Sequence, residues 1–204
     1  MIKNVVFDFG QVLVHFQPAY MVGKYVTDEA DAKLLEEVLF DRLYWDKLDA
    51  GTIADEEMLS AVKTRIPNRL WRVAEQIYAN WIYNIPEMEG MEELILRIKN
   101  GYGKRVLLLS NISKFFAEHA DEVPILRLIE ERVFSAVCGK VKPDRKIFEH
   151  LCFTYGLNPE ETIFIDDSPK NILGAEGYGI CGYLFDGNVE KLSAWLENTL
   201  GGEL

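Results

Sequence analysis

Short apolar runs at widely spaced positions predict the strands of this chain. Val5, Val6 and Phe7 form the first run, and its lack of polar alternation is typical of a strand buried on both faces of a parallel sheet. Similar runs predict four more strands, at residues 105–109, 133–137, 162–165 and 181–185. Apolar positions at helical spacing predict helices between and after them, at residues 91–99, 144–155, 169–178 and 188–200. Strands that alternate with helices indicate βαβ units, so we predict an α/β fold with one parallel sheet.

A different pattern fills residues 18–86. Apolar side chains recur there at helical spacing, as at Leu70, Val73 and Ile77, and no run in this part predicts a strand. The helical part falls between the first strand and the next element of the βαβ series. We therefore predict two domains, an α/β core made of residues 1–17 and 87–204 and an all-helical insertion at residues 18–86.

The charge balance narrows the possible partners. The 204 residues carry a formal net charge of −11, which argues against nucleic acid and membrane surfaces as main partners. An anionic substrate would need a metal ion or well-placed basic groups to offset this charge. The three cysteines form no CxxC pair, the first apolar run is too short for a signal peptide, and no run approaches the ~20 apolar residues of a membrane span. We expect a cytoplasmic protein, and the sequence leaves its oligomeric state open.

Polar residues follow four of the predicted strands. Asp8 ends the first strand, Ser110 the second, and Asp166 with Asp167 the fourth, while Lys142 comes shortly after the third. Because parallel strands of one sheet share a carboxyl edge, we expect these side chains at one rim, where open α/β sheets bind ligands. Taken alone, Asp8 could equally be a structural residue that caps the next turn. Its convergence with four other polar groups makes a catalytic site the better interpretation.

The residue types at this rim suit phosphate chemistry. Three carboxylates side by side repel one another unless a cation offsets them, and a hard, oxygen-ligated ion with free positions for phosphate suits Mg²⁺. With that ion present, Asp8 can act as a nucleophile that forms an aspartyl-phosphate. Lys142 can hold both Asp8 and an anion. Ser110 can bind phosphate oxygens together with backbone N–H groups of the following helix.

Four segments resemble the motifs of the haloacid dehalogenase-like superfamily, in the same order and at fitting spacing along the whole chain. They are Phe7-Asp8-Phe9-Gly10-Gln11-Val12-Leu13, Leu108-Leu109-Ser110-Asn111, Lys142-Pro143 and Ile165-Asp166-Asp167-Ser168-Pro169-Lys170-Asn171. The resemblance implies a Rossmann-like core, and it implies that the helical insertion is a small cap over the site. It also implies roles for eight matched residues. Asp8 would be the nucleophile and a metal ligand, and the other metal ligands would be the Gly10 backbone carbonyl, Asp166 and Asp167. Ser110 and Asn111 would bind phosphate, Lys142 would stabilise charge, and Asn171 would orient the acidic loop.

One position departs from the pattern of the superfamily. Most of its phosphatases carry a second aspartate, the general acid and base, two residues after the nucleophile, where this chain has Gly10. General acid–base catalysis is worth about 100- to 10,000-fold, so its loss should weaken catalysis unless a cap residue, a water or the substrate's leaving group compensates. The candidate replacements, each also explicable as an ordinary loop or surface residue, are His15, Asp41, Asp46 and Asp49. The Asp-x-Gly pattern and the segment at 45–53 resemble the glucose-1-phosphate phosphatase branch.

These observations predict a Mg²⁺-dependent phosphatase that hydrolyses a small phosphorylated metabolite, such as a sugar phosphate. Arg42, Tyr44 and Trp45 of the insertion either contact the non-phosphate part of that substrate or pack the interior of the cap. Two other functions stay open. A metal-independent 2-haloacid dehalogenase has the same fold and also lacks the second aspartate, although it does not need the pair Asp166 and Asp167. A binding protein that has lost turnover would be compatible with a glycine where the second aspartate is expected.

Overall fold

The computed structural model describes residues 1–201, and this part of the chain forms a sheet of five parallel strands. The strands are β1 (Asn4–Phe7), β2 (Arg105–Ser110), β3 (Glu131–Phe134), β4 (Thr162–Asp166) and β5 (Cys181–Leu184). Their spatial order is β3-β2-β1-β4-β5, so the first strand lies at the centre. This arrangement confirms the predicted α/β fold with a Rossmann-like parallel sheet.

The central strand β1 is buried on both faces, as its apolar run predicts. Val5 and Phe7 belong to one core cluster and Val6 to the other, because side chains alternate along a strand. Val6 pairs with Leu107 on β2 and with Phe164 on β4. The carboxyl end of β1 therefore lies between the carboxyl ends of its two neighbours.

Helices fill most of the predicted insertion. They are α1 (Pro18–Gly23), α2 (Glu29–Leu39), α3 (Arg42–Asp49), α4 (Asp55–Lys63) and α5 (Trp71–Asn80). The chain enters and leaves this part side by side: Val14 bridges Glu87 in an antiparallel pair, and the His15 N–H donates to the Pro86 carbonyl at 2.8 Å. The division into two separate domains stays a prediction.

Six further helices accompany the strands that follow. They are α6 (Met91–Leu96), α7 (Lys114–His119), α8 (Ser135–Cys138), α9 (Arg145–Tyr155), α10 (Pro169–Glu176) and α11 (Val189–Leu200). α6 continues into a π-helical turn at Arg97–Gly101, and most other helices and strands differ from the prediction only at their ends. Within residues 1–201, every helix is too short or too polar to cross a membrane.

The third strand lies earlier in the chain than predicted. The prediction placed it at 133–137, whereas β3 spans Glu131–Phe134 and Ser135 begins α8. The Ser135 hydroxyl provides a physical reason, because it donates to the Asp49 carbonyl at 2.5 Å and accepts from a backbone N–H after β2 at 2.8 Å. These contacts turn the chain away from the sheet, and Val137 is consequently 64% exposed.

Candidate active site

A cavity of about 680 Å³ lies at the carboxyl edge of the sheet, between the strand ends and α3. Seven of the eight residues to which the resemblance assigns a role line it, namely Asp8, Gly10, Ser110, Asn111, Lys142, Asp167 and Asn171. The eighth, Asp166, is fully buried and contacts Lys142. The sheet order explains this convergence, because β2 and β4 flank β1 and deliver their following residues to the same edge.

Lys142 lies between two carboxylates at the wall of the cavity. Its Nζ is 2.7 Å from Asp8 Oδ1 and 2.7 Å from Asp166 Oδ2, and all three residues are buried. Burial opposes the charge of the amine, but the two carboxylates outweigh it and raise the pKa of Lys142. Lys142 therefore stays protonated and fixes both aspartates.

Asp8 leaves the end of β1 and enters the cavity. Its N–H donates to the Ile165 carbonyl at 2.9 Å, which extends the pairing of β1 with β4 by one residue. Burial raises the pKa of Asp8 to about 6, an effect that Lys142 opposes and Asp166 reinforces. Above that value the side chain is a carboxylate held beside an ammonium group.

Two asparagines position these charged groups. Asn111 Nδ2 donates to the Lys142 backbone carbonyl at 3.0 Å, and Asn111 Oδ1 accepts from the Lys142 N–H at 2.8 Å. Asn171 Nδ2 donates to both carboxylate oxygens of Asp166 at 3.0 Å. Asn111 thus lines the cavity while its amide fixes the backbone of the lysine loop, and its contact with phosphate stays a prediction.

Asp8, Asp166 and Asp167 form an acidic cluster that suits a divalent cation. One oxygen from each carboxylate lies within 4.8 Å of the others. Lys142 supplies one positive charge against three negative ones, which leaves an excess that a doubly charged ion matches. The donors are hard oxygens, the ligands that Mg²⁺ prefers, and Gly10 lines the same cavity with its backbone. The residues present therefore fit Mg²⁺.

Part of the cavity wall is aromatic. Trp45 lies 5.4 Å from Phe16 and 5.3 Å from Trp81, measured between ring centroids, and all three residues line the cavity. The Trp45 indole N–H donates to the Leu39 carbonyl at 2.7 Å. Trp45 therefore packs inside the helical insertion and also lines the cavity. The two predicted alternatives, packing and substrate contact, are compatible for this residue.

Arg42 and Tyr44, the two other residues of the insertion predicted as substrate contacts, differ in whether they line the cavity. Arg42 lines the cavity and is 2.6 Å from Asp46, one helical turn along α3. The Cζ atom of Arg65 lies 5.7 Å from the centroid of the Tyr44 ring. Tyr44 is not among the described residues that line the cavity. Arg42 alone of this pair is therefore placed to meet a ligand.

Among the four proposed replacements for the missing acid, only Asp49 lines the cavity within residues 1–201. Asp41 caps α3 and is 2.7 Å from Arg65, while Asp46 is exposed and paired with Arg42. His15 lies where the chain enters the insertion and is not among the described residues that line the cavity. The structure thus selects one residue from a set that the sequence could not rank.

Sequence reasoning missed several residues that complete the cavity. Phe16 and Trp81 form the aromatic wall, and Lys170 stands at the rim beside the acidic loop. Helical spacing marks Trp81 as buried, but it carries no sign that the buried face borders a cavity. Lys170 is the second residue of α10, three residues after Asp167, and its place close behind a strand end could have revealed it.

A family model for haloacid dehalogenase-like hydrolases matches residues 2–179. The chain belongs to this family. The match contains all four motif segments, so it confirms both the predicted family and the prediction of a hydrolase.

Two relatives of this haloacid dehalogenase-like hydrolase are phosphatases by name. The D-ribitol-5-phosphate phosphatase of Bacteroides thetaiotaomicron is 26% identical over 181 residues, which covers 84% of this chain and 86% of the relative. A sesquiterpene phosphatase of Aspergillus oryzae is 24% identical over 181 residues and is matched over 88% of each chain. A solved family enzyme of Bacteroides thetaiotaomicron, in complex with magnesium and inorganic phosphate, shares the fold with a TM-score of 0.68 at 21% identity, over 94% of this chain and 99% of that chain.

Proposed function

We propose that this hydrolase is a Mg²⁺-dependent phosphatase that acts on a small phosphorylated metabolite through an aspartyl-phosphate on Asp8. The observation that carries the proposal is a buried carboxylate, Asp8, placed 2.7 Å from the Lys142 amine and within 4.8 Å of two more carboxylates. A nucleophilic carboxylate, a fixed positive charge and an acidic cluster in one cavity are the groups that phosphoryl transfer through a covalent intermediate needs.

Asp8, Asp166 and Asp167 would hold the Mg²⁺ ion. When bound, the ion offsets the charge of the carboxylates and of the phosphate, which lowers the electrostatic cost of bringing one anion to another. Lys142 cannot offset this charge alone, because its amine is shared between Asp8 and Asp166. The excess of acidic residues in the whole chain increases the same need.

The remaining residues orient the phosphate and hold the charge that builds up. Asp8 supplies the oxygen that attacks phosphorus, and Lys142 stabilises negative charge beside it. Ser110, buried at the end of β2 in the cavity wall, would donate its hydroxyl to a phosphate oxygen. Asn111 keeps Lys142 in position through two backbone hydrogen bonds.

The cavity favours a small polar substrate. Its volume of about 680 Å³ falls within the roughly 300–1,000 Å³ of small-molecule sites. Trp45 and Trp81 offer flat apolar faces to a sugar or sugar-alcohol carbon chain, and Arg42 and Asp49 offer polar groups to its hydroxyls. The named activity of the ribitol phosphate phosphatase and the Asp-x-Gly resemblance to the glucose-1-phosphate phosphatase branch support the same substrate class.

Phosphate release from a panel of metabolites tests the proposal. The panel contains sugar, sugar-alcohol, nucleotide and amino-acid phosphates, each measured with Mg²⁺ and with EDTA. We expect turnover that requires Mg²⁺, that EDTA abolishes, and that is fastest for sugar or sugar-alcohol phosphates. Hydrolysis that proceeds equally well in EDTA would contradict the role of the acidic cluster.

The same experiment separates the two other functions of this fold. Halide release from 2-haloacids that survives EDTA would replace the proposal with a dehalogenase. Tight binding of beryllofluoride without turnover of any phosphate in the panel would indicate a binding protein.

A further inference from the structure

Among the described residues of the insertion, Asp49 supplies the carboxyl group that lines the cavity. It is the last residue of α3, one helical turn after Trp45, and residues four apart share a helix face. Trp45 is buried against the aromatic wall, so the same face carries Asp49 toward the strand ends. The helix therefore presents an acidic group to the cavity that Asp8 lines from the core.

The backbone around Asp49 is seated directly on the core. The Ser135 hydroxyl, at the start of α8, donates to the Asp49 carbonyl at 2.5 Å. Gly51 has φ +67°, and a Cβ there would lie 2.6 Å from the Ala136 carbonyl oxygen. Since a larger residue would not fit, this close approach fixes the end of α3 relative to the strand ends.

The surroundings of Asp49 favour its protonated form. Burial raises the pKa of Asp49 to about 8. Smaller influences come from its own helix and from the core: Arg42 and Lys142 lower the pKa, while Asp46 and Asp8 raise it. From α5, Tyr78 faces the same region and donates its hydroxyl to Asp55.

The core side of the cavity leaves the place for a proton-transfer group empty. Gly10 lies two residues after Asp8 and has no side chain, and a Cβ there would meet only the Phe16 Cβ at 4.0 Å. The space is therefore open to a substrate. This position therefore supplies no proton for the leaving group.

We infer that Asp49 is a catalytic residue of this hydrolase, which donates a proton to the leaving-group oxygen and then accepts one from the attacking water. The inference rests on the proposed phosphatase function and assigns the step for which Gly10 provides no group.

The two half-reactions balance with Asp49 in this role. In the first, an Asp8 oxygen bonds to phosphorus, the bond between phosphorus and the leaving oxygen breaks, and that oxygen takes the proton of the Asp49 carboxyl. In the second, a water oxygen bonds to phosphorus, its proton passes to the Asp49 carboxylate, and the bond between Asp8 and phosphorus breaks. The products are an alcohol and hydrogen phosphate, and both aspartates return to their starting forms.

The substitution Asp49→Asn tests the inference with two substrates at saturating Mg²⁺. For glycerol 2-phosphate, whose alkoxide leaves poorly, we expect kcat/KM to fall about 100- to 10,000-fold. For p-nitrophenyl phosphate, whose phenolate leaves without a proton, kcat/KM should stay close to that of the wild type. Water activation is still lost, so stopped-flow measurement should show a burst of about one equivalent of p-nitrophenolate followed by slow turnover.

The wild-type enzyme provides a second measurement that needs no variant. Because Asp49 must be protonated to act as the acid, kcat/KM for glycerol 2-phosphate should decline above about pH 8, and kcat/KM for p-nitrophenyl phosphate should not. Glu37→Gln is the control, because Glu37 is an exposed carboxyl group of the insertion, on α2, that neither lines the cavity nor acts on the pKa of Asp49. It should keep kcat/KM for both substrates within about twofold of wild type.

Equal losses on the two substrates without a burst, or unchanged turnover of glycerol 2-phosphate, would overturn the inference. An alkaline decline common to both substrates would do the same. Each of these results leaves the proposed function intact. Absence of Mg²⁺-dependent phosphate release from the wild type would instead overturn the proposed function itself.

Discussion

Asp8 and Asp49 line one cavity, the first at the end of β1 and the second at the end of α3, and their surroundings differ. Asp8, in the core, has the Lys142 amine at 2.7 Å, and its pKa is raised only to about 6. Asp49, at the end of α3, forms no salt bridge with any residue in 1–201, because Arg42 of the same helix is paired with Asp46 at 2.6 Å. Burial consequently raises the pKa of Asp49 to about 8. At neutral pH the first is mainly a carboxylate and the second mainly an acid.

The difference makes the same side chain suitable for the two opposite chemical roles proposed above. A nucleophile has to be charged, and a proton donor has to be neutral. The buried amine of Lys142 contacts Asp8 and leaves Asp49 without such a contact. Carboxyl groups whose environments push their pKa values apart are typical of an acid and a base that work together.

The largest expected effect comes from removing the charged member. Asp8→Asn keeps the shape of the side chain but removes the nucleophile, and we expect kcat for phosphate release to fall by on the order of 10⁴-fold or more. The fold should persist, because Lys142 keeps Asp166 as a counter-ion. Phosphate assays with Mg²⁺ and thermal melting measure the two outcomes. Turnover at the wild-type rate would eliminate Asp8 as the nucleophile.

Removing the Lys142 amine should remove the difference in charge between Asp8 and Asp49. Lys142→Met leaves Asp8 and Asp166 buried without their cation, and we expect the free energy of unfolding to drop by about 3–5 kcal/mol. Urea unfolding at neutral pH in EDTA measures the loss, and added Mg²⁺ should recover part of it. Lys146→Met, at an exposed position on α9, is the matched control. Equal unfolding midpoints for the two variants would show that the ion pairs of Lys142 with Asp8 and Asp166 contribute nothing to stability.

Melting temperatures measured across a pH series should isolate the contribution of Asp49, the carboxyl group that is neutral at pH 7. Because the folded-state pKa of Asp49 lies above its ordinary value of 3.8, the folded protein binds more protons than the unfolded chain, and this group lowers stability as pH rises toward about 8. Asp49→Asn removes that dependence. The variant should therefore melt increasingly above the wild type as pH rises from about 5 to about 8 in EDTA. A difference that is constant across the series would mean that Asp49 is not held neutral.

The smallest effect is expected at the aromatic wall. Trp45→Phe keeps an aromatic ring but leaves the buried Leu39 carbonyl without its indole donor, which should cost about 1–3 kcal/mol of unfolding free energy. Trp71→Phe is the control, because its indole donates to the Lys63 carbonyl at an exposed position. Urea unfolding compares them. The comparison fails if both variants lose the same stability.

The core side of the site could be predicted from sequence because it depends on strand ends. A buried apolar run that stops at Asp8 places that residue at the edge of the sheet, and the same holds for Ser110 and Asp166. The third strand shows the limit of this reasoning. Ser135 leaves the strand because it bonds to the carbonyl of Asp49, 86 residues away, and no local pattern contains that contact.

The acidic residues of α3 could not be ranked from the sequence in the same way. Asp46 and Asp49 lie three residues apart on α3, yet one pairs with Arg42 in solvent and the other lines the cavity. The seating of α3 against α8 decides between them, and it depends on tertiary packing. The spacing of four between Trp45 and Asp49 was the available signal, since it places the acid on the face of a buried aromatic residue.

The central place of β1 also constrains the order of folding. Asn4 pairs with Arg105 and with Thr162, and the five helices of the insertion are synthesised between the first of these residues and its partners. Those helices rely largely on contacts close in sequence, whereas closing the centre of the sheet requires contacts between distant parts of the chain, which form more slowly. During synthesis, Asp8 therefore emerges before the other residues of the candidate site, and its contact with Lys142 can form only after the insertion, β2 and β3 have been made.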